Sequence, residues 1–224
     1  MQIGLHKARL KIQNPILPWG FFVFVILFGP DGISQKTMQK SWEAHNFVRL
    51  EILSEEAYLI QIEVVPTKTI QLKTSVEGEH FESVVVDAIE KNNVLQLKTA
   101  YRPYFTPEND KLAAHKLISI ALHLSIPEGM EVVVEASKAR LETQGSFKQL
   151  DANLMTGLCI LKGFKGNAAL NARNGDVLVF AEPGVSGEGI SHHGTVINQL
   201  PVQQPFRITA ESVNGNISLL KSQE

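Results

Sequence analysis

Asn174-Gly175-Asp176-Val177-Leu178-Val179 is the stretch that decides the fold, because the chain repeats this phrase at a nearly fixed spacing. The positions equivalent to Val177 in the other copies are Leu141, Cys159, Val196 and Ile217. Successive copies are 18, 18, 19 and 21 residues apart. A constant period near 20 residues is typical of a chain that coils and stacks each repeat on the previous one. The sequence therefore predicts an all-β, single-stranded parallel β-helix, or solenoid, with about 18–20 residues per coil.

A second phrase keeps step with the first and supplies the other side of each coil. Its copies are Leu150-Asp151-Ala152, Leu170-Asn171-Ala172 and Ile208-Thr209-Ala210. Two strands of four or five residues, rising about 3.3 Å per residue, complete one coil with their turns, and the next coil stacks about 4.8 Å away. The inward residues of the first phrase are expected to stack in chain order on one side of the coil, as Cys159, Val177, Val196 and Ile217. Those of the second phrase are expected to stack in the same way on the opposite side, as Leu150, Leu170 and Ile208.

The glycines of the repeat are expected at the corners of the coils, where Asn-Gly tolerates a positive φ. Asn-Gly is also the signal of a two-residue hairpin turn. Antiparallel hairpins over residues 165–220 are therefore the rival interpretation, which the common spacing of the copies disfavours. The glycine-rich residues 182–189 predict a bulged corner, and Asn198 falls in an inward position. Residues 217–220 are expected to form the open end of the stack.

Upstream of the repeat, the chain alternates polar and apolar residues in short runs. These runs occupy residues 47–97 and 118–136, and turn residues bound them every 10–13 positions. Such runs are typical of strands. Residues 47–130 are therefore expected to form N-terminal coils that cap one end, interrupted by a loop at residues 100–115. Residues 131–220 form the repeat coils of one domain that spans residues 47–224.

The N-terminus has the layout of a secretory signal peptide. Basic residues precede the apolar run Trp19-Gly20-Phe21-Phe22-Val23-Phe24-Val25-Ile26-Leu27-Phe28, and small or helix-breaking residues follow it. Residues 1–34 are expected to be the signal, with an uncleaved anchor as the alternative, and residues 35–46 a polar leader. No later apolar run is long enough to span a bilayer. The protein is therefore expected to cross the inner membrane and to be periplasmic, exposed on the outer surface or secreted.

Composition excludes two classes of protein. The formal net charge of -2 gives no electrostatic footprint for nucleic acid. The single cysteine, Cys159, permits no intrachain disulfide, so the fold is not a disulfide scaffold.

The repeated phrase resembles that of the bacterial adhesin domains of the head-GIN type. Ala210-Glu211-Ser212-Val213-Asn214-Gly215-Asn216-Ile217-Ser218-Leu219 and Asn174-Gly175-Asp176-Val177 carry the match. Upstream, Leu95-Gln96-Leu97-Lys98-Thr99 and Ile126-Pro127-Glu128-Gly129 follow the order of that group. The resemblance covers roughly residues 47–220 and is weakest at residues 184–191 and at the first repeat, which lacks the glycine. It implies an exported β-solenoid of the bacterial envelope and brings no set of catalytic residues.

No reaction centre is recognisable in the sequence. Neighbouring strand residues point to opposite faces, so His192 and His193 do not suit one metal ion. Cys159 takes an inward position and is expected to be a buried core thiol. The outward polar residues near the repeat form no acidic pair at the coil spacing: Glu142, Asp151, Lys162, Lys165, Asn171 and Asp176. We therefore expect no catalytic residues, no metal and no cofactor, and we do not expect an enzyme.

The favoured function is that of a non-catalytic adhesin or structural solenoid that presents a binding face. Its expected partner is a glycan, a cell-surface polymer or a protein, and end-to-end self-association is a further expectation. Specific binding is expected where the repeat fails, at residues 101–114 with Tyr101, Tyr104 and Phe105, and at residues 184–193. A polysaccharide-active lyase or hydrolase and a sensory partner in envelope stress signalling stay open as alternatives.

Overall fold

The computed structural model describes residues 35–78, 81–102 and 118–222. The described residues lie in one compact unit, residues 34–224. The predicted signal peptide and most of the loop expected at residues 100–115 lie outside the described residues. Within these described ranges, two 3₁₀ turns, Ala44–Asn46 and Phe81–Ser83, accompany fifteen strands. The strands are β1 (Gln35–Glu43), β2 (Arg49–Ser54), β3 (Ala57–Val64), β4 (Thr69–Glu77), β5 (Val84–Lys91), β6 (Val94–Tyr101), β7 (Ser119–Ile126), β8 (Glu131–Lys138), β9 (Arg140–Thr156), β10 (Cys159–Asn174), β11 (Val177–Ala181), β12 (Val185–Ser191), β13 (Val196–Asn198), β14 (Phe206–Asn214) and β15 (Ile217–Lys221).

All fifteen strands belong to one open sheet that runs in two rows. The first row has the order β1-β4-β7-β3-β9-β10-β11-β15-β13, and the second has the order β5-β6-β2-β8-β9-β10-β14-β12. The long strands β9 and β10 lie in both rows, because their first halves pair in the first row and their second halves in the second. The pairs β1–β4, β4–β7 and β5–β6 are antiparallel. The all-β prediction is confirmed, and the expected parallel sheet is corrected to a mixed one.

The predicted 18-residue register is confirmed for three copies of the repeat and wrong for the last two. Cys159 pairs with both Leu141 and Val177 in parallel strands. Val177 then pairs directly with Ile217, and Val196 pairs with Ile217 on its far side. Strands β12 and β13 therefore lie at the edge of the sheet, and the later strands β14 and β15 lie between them and the preceding strands β10 and β11. The open end is therefore formed by β12 and β13, and the expectation that residues 217–220 form it is wrong.

The second row is shifted by two residues from the predicted stacking. Leu150 pairs with Ala168, and Ala152 pairs with Leu170, rather than leucine with leucine. Ala168 and Leu170 pair in turn with Ile208 and Ala210. A large side chain thereby sits beside a small one in the interior, which fills a narrow core at high density without overlap.

The core lies between the two rows and consists almost entirely of inward aliphatic side chains. The interior is crowded at β12, where a Cβ on Gly187 would lie 2.9 Å from Cδ1 of Leu219 and of Leu200. Gly187 and Gly189 are therefore needed inside strand β12. Gly184, with φ +92°, lies in the turn before that strand, so the bulged corner expected over residues 182–189 is wrong from residue 185 onward. Asn198 pairs with the inward Leu219 but is itself exposed, because β13 lies at the edge of the sheet, so its predicted inward position is met in register and not in burial.

Candidate functional site

A groove of about 620 Å³ crosses the outer surface of the second row. We call it the outer groove. Strands β8, β9 and β10 each contribute three consecutive residues, and β2, β6 and β14 contribute two each, with Glu55 directly after β2. The lining residues are Leu53, Ser54, Glu55, Lys98, Thr99, Glu135, Ala136, Ser137, Asn153, Leu154, Met155, Asn171, Ala172, Arg173, Glu211 and Val213.

Strand register places one rim of the outer groove. Leu53 pairs with Glu135, Glu135 with Asn153, Asn153 with Asn171, and Asn171 with Glu211. Neighbouring strands lie about 4.8 Å apart, so these five side chains form a row about 19 Å long. The four polar members are exposed. We call Glu135, Asn153, Asn171 and Glu211 the polar rim.

Side chains two positions further along the strands form the opposite rim. Glu55, Met155 and Arg173 are exposed there, and the backbone of the inward residues between the rims makes the floor. Arg173 Nη1 lies 3.8 Å from Sδ of Met155. An apolar surface therefore lies beside a cation on this rim.

Hydrogen bonds fix the middle of the polar rim. Asn171 Nδ2 donates to Oδ1 of Asn153 at 2.9 Å. At one end, His192 Nε2 lies 3.3 Å from Oε1 of Glu211, and both side chains are more than half exposed. An aligned pair of amides between two carboxylates offers donors and acceptors along one line, which suits a ligand with repeated hydroxyl groups.

The polar rim does not provide the carboxylate pair that glycoside hydrolysis uses. Glu135 and Glu211 are three strand spacings apart, or about 14 Å, which exceeds the usual limit of about 9.5 Å for such pairs. Within residues 35–78, 81–102 and 118–222, no group of three His, Cys, Asp or Glu side chains could hold a metal ion.

The candidate residues taken from the sequence are scattered over the two rows. Glu142 lies in the first row between Arg140 and Lys162, and its pKa is lowered chiefly by the hydrogen bond from Arg140. Asp151 accepts a hydrogen bond from Gln149, and Asp176 accepts one from the backbone N–H of Asn216. Among the sequence candidates Glu142, Asp151, Lys162, Lys165, Asn171 and Asp176, Asn171 lines the outer groove.

Glu135, Asn153 and Glu211 of the polar rim were missed from the sequence, although the column that Glu135 and Asn153 form with the candidate Asn171 has a signal. Glu135, Asn153 and Asn171 follow one another at the 18-residue period of the repeat. This column combines one carboxylate with two amides, so it differs from the acidic pair at coil spacing that would have indicated a hydrolytic site.

The other places singled out from the sequence have ordinary surroundings. Cys159 is buried, and burial raises the pKa of its thiol to about 12. His192 and His193 are both exposed, and His192 borders the outer groove through Glu211. Burial, and to a smaller extent the charge of Glu56, raises the pKa of Tyr101. Tyr104 and Phe105 lie outside the described residues.

Comparison with known proteins gives a fold and no family. No protein-family model matches the chain, and no curated protein matches it in sequence. The fold is similar to that of a "putative cell adhesion protein" from Clostridium sporogenes, with a TM-score of 0.60 and 13% identity over 84% of this chain and 99% of that chain.

Two further structures match with lower TM-scores. A "putative adhesin" from Bacteroides fragilis gives 0.41 at 13% identity, over 83% of this chain and 97% of that one. One from Parabacteroides distasonis gives 0.30 at 14% identity, over 80% and 97%. The shared fold is inferred from the Clostridium structure, whose TM-score is 0.60. In the described part of the chain, no helix has the length and apolar character needed to cross a bilayer.

Proposed function

We propose that the protein is a non-catalytic, adhesin-like binding protein that holds a linear, hydroxyl-bearing polymer of the cell surface in its outer groove. The observation that carries the proposal is the polar rim, where Glu135, Asn153, Asn171 and Glu211 stand on adjacent strands. The fold likeness to the Clostridium sporogenes protein, which is described as a cell adhesion protein, supports the same class of function.

The chemistry of the groove favours a polysaccharide over a charged partner. The amides of Asn153 and Asn171 both donate and accept hydrogen bonds, as sugar hydroxyls do. Carboxylates at either end accept from hydroxyl groups, and the backbone floor over Ala136, Leu154 and Ala172 offers an apolar surface to a sugar ring. Three acidic residues and two basic ones line the groove, which disfavours nucleic acids and other polyanions.

Export belongs to the same proposal. Residues 1–34 act as the secretory signal or as an anchor, residues 35–46 carry the edge strand β1 ahead of the solenoid, and residues 47–224 form the flattened solenoid with mixed N-terminal strands. The parallel pairing of β9, β10, β11 and β15 supports the solenoid. A protein of this design works in the periplasm, on the outer surface or in the medium.

The test is binding of the purified full chain to a glycan array and to isolated cell-wall polymers, followed by titration with the best hit. We expect at least one linear polysaccharide to be retained. Each of Asn153→Ala and Asn171→Ala removes about 1 kcal/mol of hydrogen bonding and weakens binding about fivefold. Gln144→Ala, an exposed amide on the first row, is the matched control and leaves binding unchanged.

The same samples separate the alternatives. New reducing ends or unsaturated products that disappear in Glu135→Gln or Glu55→Gln would replace the proposal with a polysaccharide-active enzyme. Absence of any retained polymer, or equal binding by the wild type and both asparagine variants, would overturn it.

A further inference from the structure

The two ends of the sheet are protected differently, and the end at β1 and β5 is closed. Lys36 and Lys40 of β1 reach across to the other row, where their Nζ atoms donate to the carbonyl oxygens of Val84 at 3.2 Å and Val86 at 2.6 Å. A charged side chain turned inward on an edge strand is a known protection against pairing with another chain. The lysines also occupy carbonyls that an added strand would need.

The end formed by β12 and β13 is closed over only part of its width. Asn198 Nδ2 donates to the carbonyl oxygen of Gly187 at 2.7 Å, and Leu200 is buried against the same strand. These contacts cover the end near Gly187 and Asn198. Beyond them, in the part of the chain that the structure describes, β14 is the one strand paired with β12, and β15 is the one strand paired with β13. The remaining edge runs along Gly189, which is half-buried, and Val196, which is exposed.

The uncovered edge carries apolar side chains and almost no charge. Ile190 is 56% exposed, Val196 40% and Ile197 52%. Residues 185–205 contain one charged side chain, that of Glu188, which is paired with Arg207. Charged side chains are the usual device that keeps edge strands apart, and this edge lacks them where it is open.

We propose that this edge binds a second copy of the same chain, so that β12 lies antiparallel to β12 and β13 antiparallel to β13 across a two-fold axis. The partner is another copy of this end because the opposite end presents lysines and occupied carbonyls, and burying a lysine against an apolar edge is unfavourable. Contact of one end with the same end closes after two chains. The product is a dimer with its two outer grooves in one assembly, and a filament is excluded.

One test changes the edge without changing the core. Ile190→Lys places a charge on the exposed face of β12, and Ile89→Lys places the same charge on β5 at the closed end, where Ile89 is 50% exposed. Sedimentation velocity of the full chain is expected to show a dimer for the wild type and for Ile89→Lys. At the same concentration, Ile190→Lys is expected to shift to monomer, with a circular dichroism spectrum and melting curve like those of the control.

A second test identifies the contact even if residues 1–34 associate by themselves. Ile197→Cys and Gln39→Cys place a thiol at the open and the closed end, and the native Cys159 is buried. Mild oxidation is expected to link Ile197→Cys to itself and to leave Gln39→Cys unlinked. Cross-links only in a mixture of the two variants would mean head-to-tail chains and would overturn the proposal. A monomeric wild type at high concentration, or equal linking of both single variants, would overturn it as well.

Discussion

Gly175 stands against the backbone of Gly157 so closely that a Cβ on Gly175 would lie 1.6 Å from the carbonyl oxygen of Gly157. The same approach recurs along the corner: a Cβ on Gly215 would lie 2.0 Å from the oxygen of Gly175, and one on Gly194 would lie 2.1 Å from that of Gly215. Gly194 and Gly215 do this without a positive φ. Close stacking of backbones, rather than a left-handed conformation, is therefore the common reason for glycine at this corner.

Gly175→Ala is expected to destabilise the fold by about 3 kcal/mol, because the contact is with backbone that cannot rotate away. The measurement is the midpoint and slope of urea denaturation. Gly129→Ala is the control, since Gly129 has φ +78° and nothing within 4 Å of its Cβ position. It carries only the conformational cost of about 1 kcal/mol. Equal losses in the two variants would contradict the stacking explanation.

The sequence predicts the register of three strands from one repeated phrase and misses the order in which the last strands pair. The fixed period predicts that Cys159 lies between Leu141 and Val177, because these copies of the phrase follow one another at 18 residues and their strands pair in chain order. Spacing alone cannot reveal that Ile217 inserts between Val177 and Val196, since either order keeps apolar residues inward. Contacts with the opposite row decide it, through Gly187 and Gly189.

Neither the register of the second row nor the outer groove could be predicted from the sequence, because both depend on the shape of the folded chain. Leu150-Asp151-Ala152 and Leu170-Asn171-Ala172 align equally well with leucine beside leucine or with leucine beside alanine. Only the width of the interior selects the second. An outward column such as Glu135, Asn153 and Asn171 leaves no hydrophobic signature, so its period was visible but its concave setting was not.

Thr143 is a buried position where the present residue lowers stability. It lies in the first row between Ile62 and Leu161, is 1% exposed, and has the one buried side-chain polar atom without a partner in the described ranges. Thr143→Val keeps the shape and removes the unpaired hydroxyl, so the free energy of unfolding should rise by about 1 kcal/mol.

Ser212 provides the contrasting substitution. It is fully buried, and its Oγ donates to the carbonyl oxygen of Gly175 at 3.0 Å. Ser212→Ala should therefore lower the free energy of unfolding by about 1 kcal/mol. Chemical denaturation of both variants at one temperature measures the pair, and a loss of stability in Thr143→Val would show that its hydroxyl is satisfied.

Glu131 gives the stability a dependence on acid pH. The hydrogen bond from Lys148, and after it the one from Arg49, lowers the pKa of this carboxyl below its ordinary value of 4.5. A lowered folded-state pKa means that the stabilisation is complete above the unfolded value and is lost as the pH falls through the folded value. The effect should be below about 1 kcal/mol, because the partners are exposed to solvent.

Urea titrations between pH 6 and pH 3 test this dependence. Glu131→Gln is expected to flatten part of the decline in stability, and Glu90→Gln, at an exposed position on β5, should leave the decline as it is. An unchanged slope in Glu131→Gln would remove the assigned role of Lys148 and Arg49.

The reactivity of the Cys159 thiol measures whether strands β9, β10 and β11 stay packed together. Its side chain is buried between Leu141 and Val177, and burial raises the pKa of the thiol to about 12, so almost none is thiolate at pH 8. We expect an aromatic disulfide reagent to react with the native protein at least a hundredfold more slowly than with the protein in urea. Gly175→Ala, which opens the adjacent corner, should raise the native rate, while Gly129→Ala should not. Fast reaction of the wild-type thiol at pH 8 would mean that β9, β10 and β11 separate readily around it.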